Sequence, residues 1–312
     1  MHLIDLHCDT LYKAVTDNIP FDSDAVEVKI ESDKQNHKLQ CYAIWLPDDY
    51  SGEQAEKTFL KSALLLKKEC ERCQISLIDS KDKINNVFSE NNYSACFTVE
   101  NALALNGKIE NVRKFSELGV RIMTLTWNGS NNIGDGAEVY KSKGITDFGK
   151  EVVREMEINN IIVDISHSSE KLFYDVAEIS RRPFIASHSN SYTVTSHRRN
   201  ITDEQFTILK NQGGITGINF HRDFLSNDPD NANVYDILRH VEYFLSLGGE
   251  NNICFGSDFD GCTLPNDIEN SRIMNEIYEM FLKHNYEERI IKKIFYENAL
   301  KFFENFDNQR IM

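Results

Sequence analysis

The sequence predicts an α/β fold of the (β/α)₈ TIM-barrel type, forming one domain over residues 1–312. Three observations predict it. Eight short apolar or β-branched runs punctuate the chain, at 3–8, 40–46, 94–100, 121–127, 161–167, 183–188, 214–220 and 253–258. Longer stretches with apolar positions three and four apart separate most of them, at 55–70, 109–118, 147–159, 169–180, 202–211 and 234–247, which is the helical period. The first run ends in His7-Cys8-Asp9, where an open doubly wound sheet would want a glycine-rich nucleotide turn. Strand–helix alternation repeated eight times gives a parallel barrel.

Local signals set the helix ends. Ser169 and Thr202 stand where N-caps are expected, and Thr202 precedes Gln205 by three residues, as in a capping box. Gly119, Gly213 and Gly248 stand where helices should stop in the left-handed conformation. With five prolines and no low-complexity segment, nothing interrupts the alternation.

Composition narrows the function classes. The 312 residues are 41% hydrophobic and 27% charged, ordinary values for a globular protein. A formal charge of −15 argues against nucleic-acid partners, which need clustered Lys and Arg, and against anionic membrane surfaces. No run approaches the ~18 apolar residues of a membrane span, and the first core strand begins at about Leu3, leaving no room for a leader. Seven cysteines, several inside apolar runs, read as reduced thiols in a cytoplasmic protein. Cys70-x-x-Cys73 lacks the second pair that a structural metal would need, so it reads as structural.

The ends of the runs carry the chemistry. Side chains two apart on a strand share a face, so His7 and Asp9 project together. Glu100, His167, His188 and Asp258 end the third, fifth, sixth and eighth runs. In a barrel these ends converge on one mouth, where active sites are built. Two ligand pairs, His7/Asp9 and His167/His188, need a joint, and a bidentate Glu100 supplies it. The count therefore favours two metals that share a water. Mixed imidazole and carboxylate ligands suit Zn²⁺, with Mn²⁺ or Co²⁺ also compatible. His2, His37, His240 and His284 read as surface residues, while His197 and His221 lie close enough to the mouth to reach it.

These residues match a known pattern. Ile4-Asp5-Leu6-His7-Cys8-Asp9-Thr10, Thr98-Val99-Glu100-Asn101-Ala102, Val163-Asp164-Ile165-Ser166-His167-Ser168-Ser169, Ser187-His188-Ser189-Asn190, Ser196-His197-Arg198-Arg199-Asn200 and Gly256-Ser257-Asp258-Phe259-Asp260-Gly261 resemble, in order and spacing, the membrane dipeptidase (renal dipeptidase-like) family of binuclear zinc metallopeptidases. The resemblance covers nearly the whole chain. It implies that His7, Asp9 and Glu100 hold one zinc, and that Glu100, His167 and His188 hold the other. It implies that Arg199, with Arg198 as its one-residue alternative, receives the substrate carboxylate. Asp258 then moves the proton from a metal-bridging hydroxide's water to the leaving amine, and Asp260 on the same face is the next candidate.

One departure stands out. Family members from animals carry a histidine at the end of the fourth strand, aimed at the scissile carbonyl. Here Leu125-Thr126-Trp127-Asn128 puts Trp127 there, a donor that cannot become cationic, with Asn128 beside it. The resemblance implies a dipeptidase acting on small dipeptides, with a D-residue tolerated at the second position. The rivals are another amide or lactam hydrolase on the same metal centre and a metal-loaded binding protein without catalysis. A homodimer is compatible with the sequence, which does not set the oligomeric state.

Overall fold

The protein is described by a computed structural model over residues 1–30, 37–85, 87–88 and 93–308. β1 (Leu3–Cys8) leads into α1 (Thr10–Asp17), then come β2 (Lys38–Trp45), α2 (Gly52–Cys73), β3 (Ser76–Leu77), α3 (Lys81–Asn85) and β4 (Tyr93–Glu100). α4 (Glu110–Glu117), β5 (Val120–Thr124), α5 (Asp147–Ile158), β6 (Ile162–Asp164), α6 (Glu170–Ile179) and α7 (Asp203–Asn211) follow. The chain ends with β7 (Thr216–Ile218), α8 (Arg222–Leu225), α9 (Val234–Ser246), β8 (Ile253–Phe255), α10 (Ile273–Lys283), α11 (Glu288–Lys292), a π turn and α12 (Asn298–Asn308).

All strand pairings are parallel, in the order β6-β5-β4-β2-β1-β8-β7. Between β6 and β7 lies the sixth apolar run, which bridges both neighbours through Asp164↔Ile185 and Ala186↔Thr216. The curled sheet thus closes, as the eight runs predicted. Pro183 lacks an N–H for the ladder, which helps keep this run to single bridges. Gly217 and Gly256 flank it. A Cβ on either would sit 2.0 or 1.8 Å from the Ser187 carbonyl oxygen, so only glycine lets the strands approach there.

The strands from β5 onward are shorter than the runs suggested. β6 ends at Asp164, whose carboxylate takes the Ser166 N–H at 3.0 Å. A local side-chain bond of this kind competes with the ladder. β3, pairing Ser76↔Ser94 and Leu77↔Ala95, is an addition that the runs did not reveal.

Packing closes one end of the barrel and leaves the other free for chemistry. Leu6, Cys41, Cys96, Ile122, Ile162 and Cys254 fill the interior together with Phe302, Phe303 and Phe306 of α12. Arg121 at the start of β5 pairs with Asp307 at 2.5 Å, and Arg182 stacks over the Phe306 ring at 3.5 Å. Both arginines lie at N-terminal strand ends, so α12 stoppers that mouth. The caps fall where the sequence placed them. The Ser169 and Thr202 hydroxyls accept from Leu172 and Gln205 N–H groups, the latter as a full capping box, and Gly119, Gly213 and Gly248 have φ of 95°, 80° and 77°.

His240 corrects the surface reading. It is fully buried, because it falls three residues after Ile237 and four before Phe244 on the inner face of α9. Its Nδ1 accepts from the Ser191 N–H at 3.1 Å, and its Nε2–H donates to the Leu225 carbonyl at 3.0 Å. Burial pushes its pKa down to about 4. A depressed pKa means that the unfolded chain binds more protons, so this stability is present above pH 6.5 and lost as pH falls through 4. The full effect is about 3 kcal/mol. His240→Gln should therefore flatten the fall in thermal stability between pH 6.5 and 4. An unchanged acid profile would show that His240 does not set it. His2 and His37 are half-buried around Phe88, with the His2 ring stacked at 4.6 Å.

Candidate active site

The open end of the barrel gathers the residues that the sequence singled out. His7 and Asp9 lie at the end of β1, with the Asp9 N–H bonded to the Phe259 carbonyl at 2.8 Å and the Asp258 N–H to the His7 carbonyl at 3.1 Å. These two bonds lock the first strand to the turn that follows β8. His7 Nε2 stands 3.3 Å from Asp9 Oδ2, 3.6 Å from Glu100 Oε2 and 3.7 Å from Asp258 Oδ1. The second group meets at Glu100 Oε1, which lies 2.7 Å from His167 Nε2 and 3.7 Å from His188 Nε2. The two Nε2 atoms are 2.9 Å apart. All six side chains are buried.

The outer hydrogen bonds decide what the inner atoms offer. Ser187 Oγ has one proton, and it donates that proton to Asp164 Oδ2 at 2.6 Å. Its contact with His188 Nδ1 at 2.7 Å must then be a bond from Nδ1–H, which leaves the Nε2 lone pair facing inward. His167 is held alike, its Nδ1 at 2.8 Å from the Asn128 carboxamide oxygen. Two lone pairs and a carboxylate oxygen therefore face one another, an arrangement that a cation satisfies and a neutral side chain does not. Asp9 Oδ1 is a buried oxygen without a partner among the described residues. Next to it, a Cβ on Gly261 would fall 1.9 Å from Asp9 Oδ2 and 2.7 Å from Asp258 Oδ1. Glycine keeps that space open for the carboxylates. Ligand atoms of His7, Glu100 and His188, and separately of His7, Asp9 and Asp258, lie within 4.8 Å of one another. The donor set thus fits divalent metal.

Electrostatics agree with this reading. Burial pushes Glu100 well above the usual carboxylate range, with Asp9 adding to the rise. Burial alone would lower His7, but Glu100, Asp9 and Asp258 raise it to about 10. Burial holds His167 and His188 well below the ordinary imidazole value. Asp258 is pushed up to about 7, first by burial, while Asn219 Nδ2 donates to its Oδ2 at 2.9 Å. Three buried carboxylates crowded around His7, with Arg199 the other cation acting on Glu100 and Asp258, are the mark of a functional site rather than a stabilising one. Backbone strain sits here too. His167 and Asp258 have φ of 67° and 66°, a left-handed conformation that costs about 1–3 kcal/mol each outside glycine.

Arg199 is the buried arginine at the rim, only 5% exposed, and Arg198 beside it is exposed. Arg199 Nε and Nη2 have no partner among the described residues, and its guanidinium carbon lies 5.4 Å from the Phe224 ring centre. The loop around it is fastened by Asn200 Nδ2, which donates to the carbonyls of Thr195 and Phe224 at 2.9 Å each. A pocket of about 780 Å³ opens here, lined by His167, Arg199, Tyr140, Tyr174 and Tyr192 among others. His197 and His221 do not join the ligand cluster. They flank Phe224, with ring centres 4.5 and 4.4 Å away.

A family model described as membrane dipeptidase, peptidase family M19, matches residues 1–310. The chain belongs to the membrane dipeptidase family. It is accordingly an enzyme of the metallopeptidase kind, a hydrolase of peptide bonds. Among solved structures, a metallo peptidase from Rhodobacter sphaeroides, liganded with a phosphinate mimic of the dipeptide L-Ala-D-Ala, has the same fold. Its TM-score is 0.90 at 24% identity, over 97% of this chain and 99% of that one. Dipeptidase AC, a metallo peptidase of the same family, matches with a TM-score of 0.90 at 25% identity, over 97% and 98%. An uncharacterised protein from the region 5′ of pqqA in Klebsiella pneumoniae is 28% identical over 216 residues, 66% of this chain and 80% of its own length.

In this member of the membrane dipeptidase family, the remaining candidates take varied positions around the mouth. Asp260 turns away from the mouth. Its carboxylate accepts from Thr10 Oγ1, Lys13 Nζ and the Glu27 N–H at 2.5, 2.9 and 2.9 Å, so it ties α1 to the following loop. Asn128 has its carboxamide oxygen engaged by His167 Nδ1, and the donors on its Nδ2 lie on the other arm of the carboxamide. Trp127 lies three residues beyond β5, half-buried, edge-on to Trp45 at 5.0 Å and 6.1 Å from the His167 ring. Trp45 in turn packs on Tyr12 at 4.9 Å. The sequence reading missed Asn219, Trp45, Gly261, Asp5 and Asp164. The two aspartates were visible as acids placed inside apolar runs.

Proposed function

We propose that this enzyme is a dipeptidase with two Zn²⁺ per chain, held by His7, Asp9 and Glu100 on one side and Glu100, His167 and His188 on the other. The observation that carries the reading is the inward-facing cluster of Nε2 and carboxylate atoms around Glu100, next to a buried arginine with free donors. Bound divalent metal supplies Lewis acidity and lowers the pKa of water, giving a nucleophile near neutral pH.

The remaining work falls to side chains of this chain. Arg199 receives the carboxylate of a two-residue substrate through its unpartnered donors, a geometry suited to a guanidinium fork. Asn219 occupies Asp258 Oδ2, so Oδ1, on the His7 side, exchanges the proton. As the C–O bond forms and the C–N bond breaks, Asp258 takes a proton from the attacking water and delivers it to the departing amine. Burial, which raises the Asp258 carboxyl, suits that double role. Trp127, Trp45 and Tyr12 form an aromatic wall that favours small side chains near the scissile bond. The family relationship supports tolerance of a D-residue at the second position. The cysteines are free, which suits a reducing cytoplasm. Among the described residues, no helix is long and apolar enough to cross a membrane.

A dipeptide-library screen on zinc-loaded protein tests this function. Dipeptides with small side chains, L,L or L,D, should be hydrolysed. Their C-terminal amides should be slower by about 10- to 150-fold in kcat/KM, matching the 1.5–3 kcal/mol of a hydrogen bond to a charged group. Equal rates on dipeptides, amides and long peptides would instead make the enzyme a general amidase.

A further inference from the structure

The geometry points to Asp5–Ser257 and Asp164–Ser187 as two copies of one positioning device, each setting the functional side chain that follows its serine. Asp5 Oδ1 accepts the Ser257 N–H at 2.9 Å and Oδ2 accepts the Ser257 hydroxyl at 2.6 Å. Asp164 Oδ1 accepts the Ser187 N–H at 2.8 Å and Oδ2 accepts the Ser187 hydroxyl at 2.6 Å. Each aspartate also takes an N–H two residues along its own strand, from His7 at 3.3 Å and from Ser166 at 3.0 Å. All four residues are buried. In both copies a carboxylate on one strand grips a serine on the next by backbone and side chain together. The residue after that serine points into the site, Asp258 in one case and His188 in the other.

The grip has a physical consequence. A buried serine that donates to a carboxylate can only accept from other groups. Ser187 therefore fixes the proton of His188 on Nδ1 and the lone pair on Nε2. At the other copy, Ser257 anchors the start of the turn in which Asp258 takes its left-handed conformation. The paired bonds constrain that turn at backbone level, where packing alone would let it relax. Asp5 and Asp164 are thus positioning residues, spending their oxygens on strands rather than on substrate.

This inference rests on His188 being a metal ligand, and the experiment separates the two. Zn²⁺ alone is titrated against a chromophoric chelator into metal-free parent protein and the His188→Ala, Ser187→Ala, Asp164→Asn and Ser257→Ala variants. Circular dichroism verifies folding. Ser187→Ala should weaken one zinc by about 10–100-fold, the usual cost of losing an outer hydrogen bond to a ligand. Its ¹⁵N spectrum should show His188 leaving the pure Nδ1–H tautomer. Asp164→Asn should weaken zinc at least as much, because a carboxamide NH₂ facing Ser187 lets the hydroxyl donate to His188. Ser257→Ala should keep both zincs and lose about 10–100-fold in kcat with KM little changed. If His188→Ala keeps both zincs, the metal reading fails. If His188→Ala loses one while Ser187→Ala binds like the parent with an unchanged tautomer, the positioning device is refuted at that copy. Full kcat in Ser257→Ala refutes it at the other. Should Asp164→Asn fail to fold, Ser187→Ala decides alone.

Discussion

Replacing Glu100 by alanine should cost the enzyme both metals and nearly all of its activity. Among the described residues, Glu100 is the carboxylate that reaches both histidine groups, with Oε2 3.6 Å from His7 Nε2 and Oε1 2.7 Å from His167 Nε2. His7→Ala or His188→Ala should each weaken mainly one metal, whereas Glu100→Ala should weaken both. Metal catalysis contributes several kcal/mol, so the expected loss is roughly 10³-fold or more in kcat. Metal content by elemental analysis, measured with turnover on the same preparations, checks this. A Glu100→Ala protein that still binds its full complement of metal would remove Glu100 from the bridge.

Asp258→Asn should lower kcat by about 10²–10⁴-fold, the range for a lost acid–base group, with metal content unchanged. The test is sharp because Asp258 Oδ1 lies near enough to His7 and Asp9 to act as a ligand itself. Loss of one metal with the activity would place Asp258 among the ligands rather than at the proton. Asp260 provides the control on the same turn. Its carboxylate is spent on Thr10, Lys13 and the Glu27 N–H, so Asp260→Asn should alter thermal stability far more than kcat. The reverse pattern, with Asp258→Asn active and Asp260→Asn inactive, would overturn the assignment.

The fold was legible because barrel strands advertise themselves. Run 161–167 opens on Ile161-Ile162-Val163, apolar on both faces, as strands buried between a core and a ring of helices are. The clustered residues were legible for a related reason, since a His or acid that closes an apolar run in a barrel is carried to the same mouth as the others. What lay out of sight depends on contacts between distant segments. Nothing near Asp260 in the sequence announces Thr10 or Lys13, so two aspartates two residues apart on one turn looked equivalent. His240 needed the helical period to be read on a histidine as well as on apolar residues. The sequence placed Trp127 at a strand end, and it could not show that β5 stops at Thr124 and that the indole packs edge-on to Trp45. That the Asn128 carboxamide oxygen orients His167 was equally out of sight, because the two residues lie 39 apart in the chain.

If two ions work together on a dipeptide, metal stoichiometry and turnover must rise and fall together. Protein prepared without chelator and loaded with Zn²⁺ should contain close to two zinc per chain by elemental analysis. Dipeptide turnover should fall away with their removal and return with their replacement. No more than one bound metal per chain in fully active protein would rule out the binuclear centre.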